Sequence, residues 1–254
     1  MNHSSAKASH YDKDAAQYDI FNEKNSAIIN HTIEKILKKY KVHTVLDMTC
    51  GTGSQVFWLA KRGFEVTGSD INSKMLTIAK RKALVKKYPV EFFKKDIRTA
   101  QLGEFDAVIT IFNAIGHLTK RDFEKAVRNI YNNLKPGGLY IFDINNLNYL
   151  LKGNNITHLT IDWQEATGNK KIREIQYSTI NKAGILASYT TSYIQKNDAQ
   201  PKIIKQAQTL QVYTASQLTE ILQQNEFKVI GKFAIDGKKF METKSDRILM
   251  IAKK

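Results

Sequence analysis

The stretch Thr44-Val45-Leu46-Asp47-Met48-Thr49-Cys50-Gly51-Thr52-Gly53 decides the fold of this 254-residue chain. Its first four residues predict a buried strand that runs into a glycine turn, and a helix is expected to begin near Ser54. Glycine lacks a Cβ and adopts positive φ, so Gly51 and Gly53 let the backbone close tightly and present N–H groups to a ligand. An acid, Asp70, is expected at the end of the next strand. The pattern predicts a nucleotide pocket.

Two kinds of cofactor fit such a loop. The dinucleotide fingerprint requires a third glycine three residues after the second, and Val56 stands there. Nicotinamide and flavin dinucleotides are therefore disfavoured. The acid Asp47 before the turn, the pattern D-x-x-C-G-T-G and the later loop Leu134-Lys135-Pro136-Gly137-Gly138-Leu139 resemble the class I S-adenosylmethionine-dependent methyltransferases. Several separated motifs in one order carry this resemblance.

Alternating strands and helices predict an α/β fold with helices on both faces of a parallel sheet. The expected parallel strands are residues 44–47, 65–70, 90–94, 107–112 and 139–144, and the main helices are residues 26–40, 73–88 and 120–134. The resemblance implies a doubly wound, mostly parallel seven-stranded sheet, the Rossmann-like methyltransferase fold. Residues 227–235 and 248–252 are expected to complete this sheet after a helix at 214–225 that begins with a capping box.

From about residue 150 the pattern changes to antiparallel strands. The expected strands are residues 158–164, 171–179, 186–195 and 203–213, separated by turn-forming residues. They predict an inserted antiparallel β lid. The expected organisation is a cofactor-binding core with an N-terminal lid segment (1–149), the β lid insertion (150–213), and a C-terminal helix and hairpin that complete the core sheet (214–254).

Composition limits the class of protein. Hydrophobic residues make up 42% and charged residues 25%, as in a soluble globular protein. No apolar run approaches the roughly 20 residues that span a bilayer. The single cysteine and the polar residues 1–14 predict a cytoplasmic protein that does not bind membranes.

The net charge of +15 raises the question of a nucleic-acid partner. The basic runs at 35–41 and 80–87 lie in helical patterns without interleaved aromatic residues, which disfavours such a partner. A homo-oligomer is left open.

The resemblance implies S-adenosyl-L-methionine as the cofactor and no metal. Asp70 is expected to accept hydrogen bonds from both ribose hydroxyls, although an acid there could also be a helix N-cap. Asp96 is expected to accept from the adenine amine, with the Ile97 N–H reaching a ring nitrogen. Asp47 is expected to order the loop or receive the methionyl ammonium through water.

Further cofactor contacts are predicted from the same motifs. Lys24 falls where related enzymes place an arginine for the methionyl carboxylate, and a solvated lysine is the alternative. Tyr11 and Tyr18 are predicted lid residues. Cys50 stands where the family often has cysteine and is not expected to be a nucleophile. The remaining predicted contacts are Thr49, Gly51, Thr52, Gly53, Ile71, Met75 and Ile111.

Residues 105–118, 142–149 and 245–248 resemble glycine N-methyltransferase and amino-sugar N,N-dimethyltransferases. The resemblance implies methyl transfer to nitrogen, or next to oxygen, of a small-molecule acceptor. His117 is the first candidate for a general base, with packing on the cofactor as the alternative. Asn113 and Tyr149 are predicted to orient the acceptor. An RNA or protein acceptor and a non-catalytic cofactor-binding protein remain alternatives.

One departure from glycine N-methyltransferase concerns the acceptor. That family has an arginine after the fifth strand that holds the amino-acid carboxylate, and Asn145 stands in its place. Loss of this bidentate cation removes much of the selectivity for a carboxylate. Glycine is therefore a doubtful substrate.

Overall fold

This computed structural model describes residues 2–10, 12, 18–153 and 155–254, and it describes residues 18–25 by their backbone alone. The chain forms an α/β fold built on a seven-stranded sheet in the order β10-β11-β5-β4-β1-β2-β3. Strands β1 to β5 pair in parallel, and β11 runs antiparallel to both of its neighbours. A separate four-stranded antiparallel sheet, β6 to β9, is inserted between β5 and β10. The predicted fold class is confirmed.

The elements follow one another along the chain as the alternation predicts. The strands of the large sheet are β1 (Thr44–Asp47), β2 (Glu65–Asp70), β3 (Glu91–Lys94), β4 (Phe105–Thr110), β5 (Leu134–Asn145), β10 (Lys228–Phe233) and β11 (Arg247–Lys253). The helices are α1 (Tyr18–Lys39), α2 (Ser54–Ala60), α3 (Ser73–Lys86), α4 (Lys120–Asn132), α5 (Leu147–Leu151) and α6 (Ala215–Gln224). The inserted strands are β6 (Ile161–Thr167), β7 (Lys170–Ile180), β8 (Ile185–Lys196) and β9 (Lys202–Gln211).

The hydrophobic core lies on both faces of the large sheet. Successive side chains of a strand point to opposite faces, so Val45 packs with α1, α2 and α3, while Leu46 packs with α4 and α6. β1, at the centre of the sheet, is buried on both sides, as parallel strands covered by helices are. Within the described part of the chain, no helix has the length and apolar character that crossing a membrane requires.

Several boundaries differ from the expected ones. β6 begins at Ile161, three residues later than expected, because residues 155–159 form a 3₁₀ turn whose Leu159 carbonyl accepts from Ser178 Oγ. The short helix α5 was not expected. Asn146 caps it by accepting from the Asn148 N–H, and its Leu147 is buried in a small cluster under the inserted sheet.

A buried ion pair joins the last strand to the fifth. The Asp143 carboxylate is fully buried and pairs with the Arg247 guanidinium of β11, and its Oδ1 accepts from the Phe112 N–H at 2.7 Å. Phe112 has a φ of 65°, which a non-glycine residue adopts only when its surroundings hold it there. The pair therefore fixes the turn that leaves β4.

We predict that Asp143→Asn lowers the free energy of unfolding by about 3 kcal/mol or more, because the amide keeps an acceptor for Phe112 but leaves Arg247 without its buried counter-charge. Urea unfolding monitored by circular dichroism measures the change. Asp236→Asn, at an exposed pair with Lys238, is the control and should change little. An equal effect of both substitutions would contradict the role given to Asp143.

Candidate cofactor site

The glycine turn after β1 closes on itself through backbone hydrogen bonds. The Gly53 N–H donates to Cys50 O at 2.8 Å, and the Cys50 N–H donates to Ser69 O at 2.9 Å. Gly53 has a φ of 92°, and a Cβ there would lie 2.5 Å from the Phe57 ring. Gly51 has a φ of 51°, and a Cβ built on it meets no atom within 4 Å. The turn is therefore packed beneath Gly53 and open above Gly51.

Asp70 links this turn to the next helix. It lies at the end of β2, where Oδ2 accepts from the Gly51 N–H at 2.9 Å and Oδ1 accepts from the Asn72 N–H at 2.8 Å. A carboxylate has about four acceptor positions, so each oxygen retains capacity for a ligand hydroxyl. Burial raises the pKa of Asp70, and the backbone N–H groups of Asn72, Gly51 and Ile71 oppose that rise.

Asp47 is a buried carboxyl beneath the same turn. It is 1% exposed, and its Oδ1 accepts from the Thr49 N–H at 3.1 Å. Within the described residues, its Oδ2 and the Thr49 hydroxyl are buried without a hydrogen-bond partner. Burial, with a smaller contribution from the charge of Asp70, raises the pKa of Asp47 to about 8. The site thus has unmet capacity for a cationic or hydrogen-bonding ligand group.

Two adjoining clefts open over the turn. The first cleft encloses about 900 Å³ of empty space, partly open to solvent. The second cleft lies beside α1 and α2, and the two share Thr49, Gly51, Ile111 and Phe112. Together they cross the carboxyl ends of the parallel strands, where ligands of open α/β folds bind.

Most of the predicted cofactor residues line one of the two clefts. The first cleft is lined by the predicted residues Thr49, Gly51, Asp70, Ile71, Met75, Asp96, Ile97, Ile111 and His117. The second cleft is lined by Cys50 and Thr52 as well. Burial raises the pKa of the Cys50 thiol, which suits the expectation that it is not a nucleophile. Tyr11 and the side chains of Tyr18 and Lys24 lie outside the described residues.

Asp96 lies on the lining of the first cleft, and Arg98 binds its carboxylate. Arg98 Nε donates to Asp96 Oδ1 at 2.9 Å, and a terminal nitrogen of Arg98 donates to Oδ2 at 2.5 Å. The hydrogen bond from Arg98 lowers the pKa of Asp96. The sequence-based interpretation did not include this partner.

The N-terminal segment, which we define as residues 2–10, lies along the first cleft. The Ala6 N–H donates to His117 O at 2.9 Å, and Asn72 Nδ2 donates to Ala8 O at 2.7 Å. His3 Nε2 donates to Leu118 O, which leaves its Nδ1 to accept from the Thr209 hydroxyl of β9. The segment therefore connects the mouth of the first cleft to the inserted sheet.

His117 lies between this segment and the first cleft. Its ring centroid is 5.0 Å from that of His10. Burial, followed by the charges of His10 and His3, lowers the pKa of His117 to about 4. The imidazole is neutral at physiological pH, and its catalytic role stays a prediction.

The other predicted acceptor residues lie away from the lining of both clefts. Asn113 is 8% exposed, and its Oδ1 accepts from the Asn145 N–H at 3.0 Å. Tyr149 belongs to α5 and packs on the cluster under the inserted sheet. The structure does not bring these two side chains to the described clefts, so their roles also stay predictions.

Three residues of the site were missed from the sequence. Asn72 caps α3 by accepting from the Met75 N–H and also holds the N-terminal segment; an asparagine directly before a predicted helix was an available signal. Arg98 binds Asp96, and Arg247 pairs with Asp143. The residues near Arg247 do not indicate this pairing, because its partner lies 104 residues away.

The family comparison agrees with the geometry. Residues 45–138, from β1 into the first part of β5, match the family model described as a methyltransferase domain. This part of the chain is therefore similar to a methyltransferase domain. The matched range includes the glycine turn, Asp70, Asp96 and His117, so the domain model covers much of the first cleft.

Curated methyltransferases are similar to part of the chain. The glycine N-methyltransferase of Rattus norvegicus is 33% identical over 131 residues, which cover 46% of this chain and 45% of that protein. The glycine/sarcosine N-methyltransferase of Parasynechococcus marenigrum is 37% identical over 127 residues, which cover 47% and 44%. The chain spans about half the length of the curated relatives it matches.

Solved methyltransferase structures share the whole fold. An S-adenosylmethionine-dependent methyltransferase from Clostridium acetobutylicum superposes with a TM-score of 0.77 at 18% identity, covering 96% of this chain and 98% of that one. The sugar N-methyltransferase KedS8 from Streptoalloteichus sp. gives a TM-score of 0.74 at 17% identity and covers 92% of each chain. The predicted resemblance to the S-adenosylmethionine-dependent methyltransferase fold is confirmed, inserted sheet included.

We predict that Asp47→Asn flattens the pH dependence of stability in the ligand-free protein. Asp47 holds its proton up to about pH 8 when folded but only to about pH 3.9 when unfolded. Its stabilising contribution is therefore complete below about pH 3.9 and is lost as the pH rises through about 8. Urea unfolding at a series of pH values measures the slope, and identical slopes for both proteins would contradict the buried, protonated state of Asp47.

Proposed function

We propose that the protein is an enzyme that transfers the methyl group of S-adenosyl-L-methionine to a small molecule, at nitrogen in preference to oxygen. The observation that carries the proposal is an open glycine turn with two carboxyls, that of Asp47 buried beneath the turn and that of Asp70 on the lining of the first cleft. A ligand with an ammonium, a sulfonium and a ribose diol matches these two carboxyls, which accept hydrogen bonds and attract positive charge. The methyltransferase domain supports the same activity.

Each part of the cofactor has a candidate partner on the clefts or, for Asp47, beneath the glycine turn. Asp70 is proposed to accept from the ribose hydroxyls, and Asp47 to receive the methionyl ammonium, directly or through water. Asp96 and the Ile97 N–H are proposed to bind the adenine. Tyr11, Tyr18 and Lys24 stay predicted contacts.

The protein's own contribution is alignment. When bound, the cofactor supplies an electrophilic methyl group on a positively charged sulfur. Holding an acceptor in line with such a group is worth about 7–11 kcal/mol when two reactants are fixed in near-attack geometry. The N-terminal segment covers the first cleft through Ala6 and Ala8 and so limits the access of water.

The low pKa of His117 argues against its use as a general base for an ammonium. Moving a proton from an alkylammonium with a pKa of about 10.4 to a ring with a pKa of about 4 costs about 9 kcal/mol, at 1.36 kcal/mol per unit. We therefore favour the alternative that His117 packs on the cofactor. An amine that arrives neutral needs no base before methyl transfer.

The acceptor is proposed to be an uncharged or cationic amine rather than an amino-acid carboxylate. Asn145 replaces the arginine expected for a glycine-type acceptor. Arg247 lies opposite Asn145 in the β5–β11 register, but its charge is balanced by buried Asp143. A cytoplasmic location is proposed because the single thiol is buried and reduced, which suits a reducing compartment.

We predict that Asp70→Asn weakens binding of S-adenosylmethionine by about 10-fold or more, since it removes charge-assisted hydrogen bonds to the ribose. Isothermal titration calorimetry measures the dissociation constant. Asp106→Asn is a matched control, because Asp106 also accepts two backbone N–H groups, from His43 and Thr44, where β1 and β4 begin. Unchanged affinity in Asp70→Asn would remove Asp70 from the site.

The acceptor class can be tested by labelled-methyl transfer to pooled amines, amino sugars, phenols and carboxylates. We expect incorporation into amine pools in the wild-type protein and a strong reduction in Asp70→Asn. Incorporation confined to the carboxylate pool would contradict the proposed acceptor. Tight cofactor binding without transfer to any pool would favour a non-catalytic protein.

A further inference from the structure

A continuous set of contacts, which we call the Arg98 bridge, joins the first cleft to the N-terminal segment. It consists of Asp96, Arg98, Asp122 and Ser5. Arg98 binds Asp96 with two nitrogens on one side, and on the other it donates to Asp122 Oδ2 at 2.7 Å. Ser5 Oγ donates to the same Asp122 oxygen at 2.6 Å. Each successive contact from the cleft to the segment along this route is a hydrogen bond.

We propose that Arg98 is a positioning residue that determines purine specificity: it fixes the Asp96 carboxylate to accept from a 6-amino purine, and through Asp122 it links that contact to closure of the N-terminal segment. The inference rests on the proposed function, because it takes an adenosyl ligand in the first cleft. Neither Arg98 nor Asp122 needs to touch the reacting atoms.

The first step of the argument is the acceptor capacity of Asp96. A carboxylate has about four acceptor positions. Arg98 fills two on Oδ1, through its backbone N–H and Nε, both at 2.9 Å, and one on Oδ2 through its terminal nitrogen. Nε is shared with Oδ2 at 3.1 Å. With Nε counted once, on the nearer Oδ1, one position on Oδ2 remains, which is enough for one N–H of an exocyclic amine.

The second step is the discrimination that this geometry gives. A 6-oxo purine would place a carbonyl oxygen against the remaining Asp96 oxygen, so that two acceptors face each other without a proton. Sites built around a hydrogen bond strongly reject analogues that cannot make it, because their buried polar groups stay unpaired. Arg98 keeps Asp96 ionised and in one rotamer, since the planar fork of arginine matches a carboxylate at two points.

The third step concerns the N-terminal segment. Ser5 Oγ accepts from the Thr119 N–H at 3.0 Å while it donates to Asp122, and the Ala6 N–H donates to His117 O. The charge of Arg98 lowers the pKa of Asp122, after the larger effect of the Ser5 hydrogen bond. An ionised Asp122 accepts more strongly from Ser5 than a neutral one does. Through Asp122, Arg98 therefore favours the docked position of the N-terminal segment.

The test compares two ligands, S-adenosylhomocysteine and S-inosylhomocysteine, by calorimetry. In the wild-type protein we expect a preference for the 6-amino ligand of about 10-fold or more. Arg98→Met should reduce affinity for the 6-amino ligand and bring the preference close to one. Arg173→Met is the matched control, because Arg173 makes a similar two-nitrogen pair with Asp162 on the inserted sheet, and it should keep both values.

Hydrogen–deuterium exchange at the Ala6 amide tests the link to the N-terminal segment. With saturating S-adenosylhomocysteine, the amide should be protected in the wild-type protein and exchange several-fold faster in Asp122→Asn. Asp122→Asn keeps the side-chain size and lies outside the cleft lining, so it tests the bridge even if Arg98→Met lowers the Tm.

The outcomes separate this inference from the proposed function. No binding of S-adenosylhomocysteine to the wild-type protein would overturn both. Binding with an unchanged purine preference in Arg98→Met would overturn the specificity role alone. Equal Ala6 protection in wild-type and Asp122→Asn proteins would overturn the link to the segment.

Discussion

The Asp70 carboxylate is the interaction on which the site depends. Through Gly51 and Asn72 it holds the glycine turn and the start of α3 at the end of one strand. The same position puts it close enough to Asp47 to raise the pKa of that buried acid. Two acids at one sheet edge disfavour each other's ionisation, and a ligand with cationic groups relieves that cost. The position of Asp70 that closes the turn thus also places two acids where a cationic ligand group would stabilise their ionised forms.

Local patterns predicted the parts of the fold that depend on neighbouring residues. β1 and β2 have the expected bounds, and the capping box at Thr214 and Gln217 is present, because strand alternation and helix caps are set within a few residues. The glycine turn and Asp70 were predicted for the same reason. Pairings across the fold were not: Arg98 with Asp122 and Arg247 with Asp143 depend on strand order and on which loops meet, and no local pattern carries that information.

Chemical roles were harder to predict than positions. The sequence placed His117 at the mouth of the site, and it lies on the first cleft. Its suitability as a base depends on burial and on two other histidines, His3 and His10, that the N-terminal segment brings beside it. Residue type alone suggests a pKa near 6.5, whereas the folded environment lowers the pKa to about 4. The proton chemistry of the site is thus a property of the closed segment.

The net charge of +15 does not describe the charge at the site. Arg98 is balanced by Asp96 and Asp122, and Arg247 by Asp143. The guanidinium groups near the turns after β3 and β4 therefore hold protein carboxylates in place rather than present a cation to an acidic acceptor. Binding of an anion by Arg247 would require breaking its buried pair with Asp143, which costs about 3–5 kcal/mol. The basic composition of the chain therefore does not predict the charge that the site presents to a ligand.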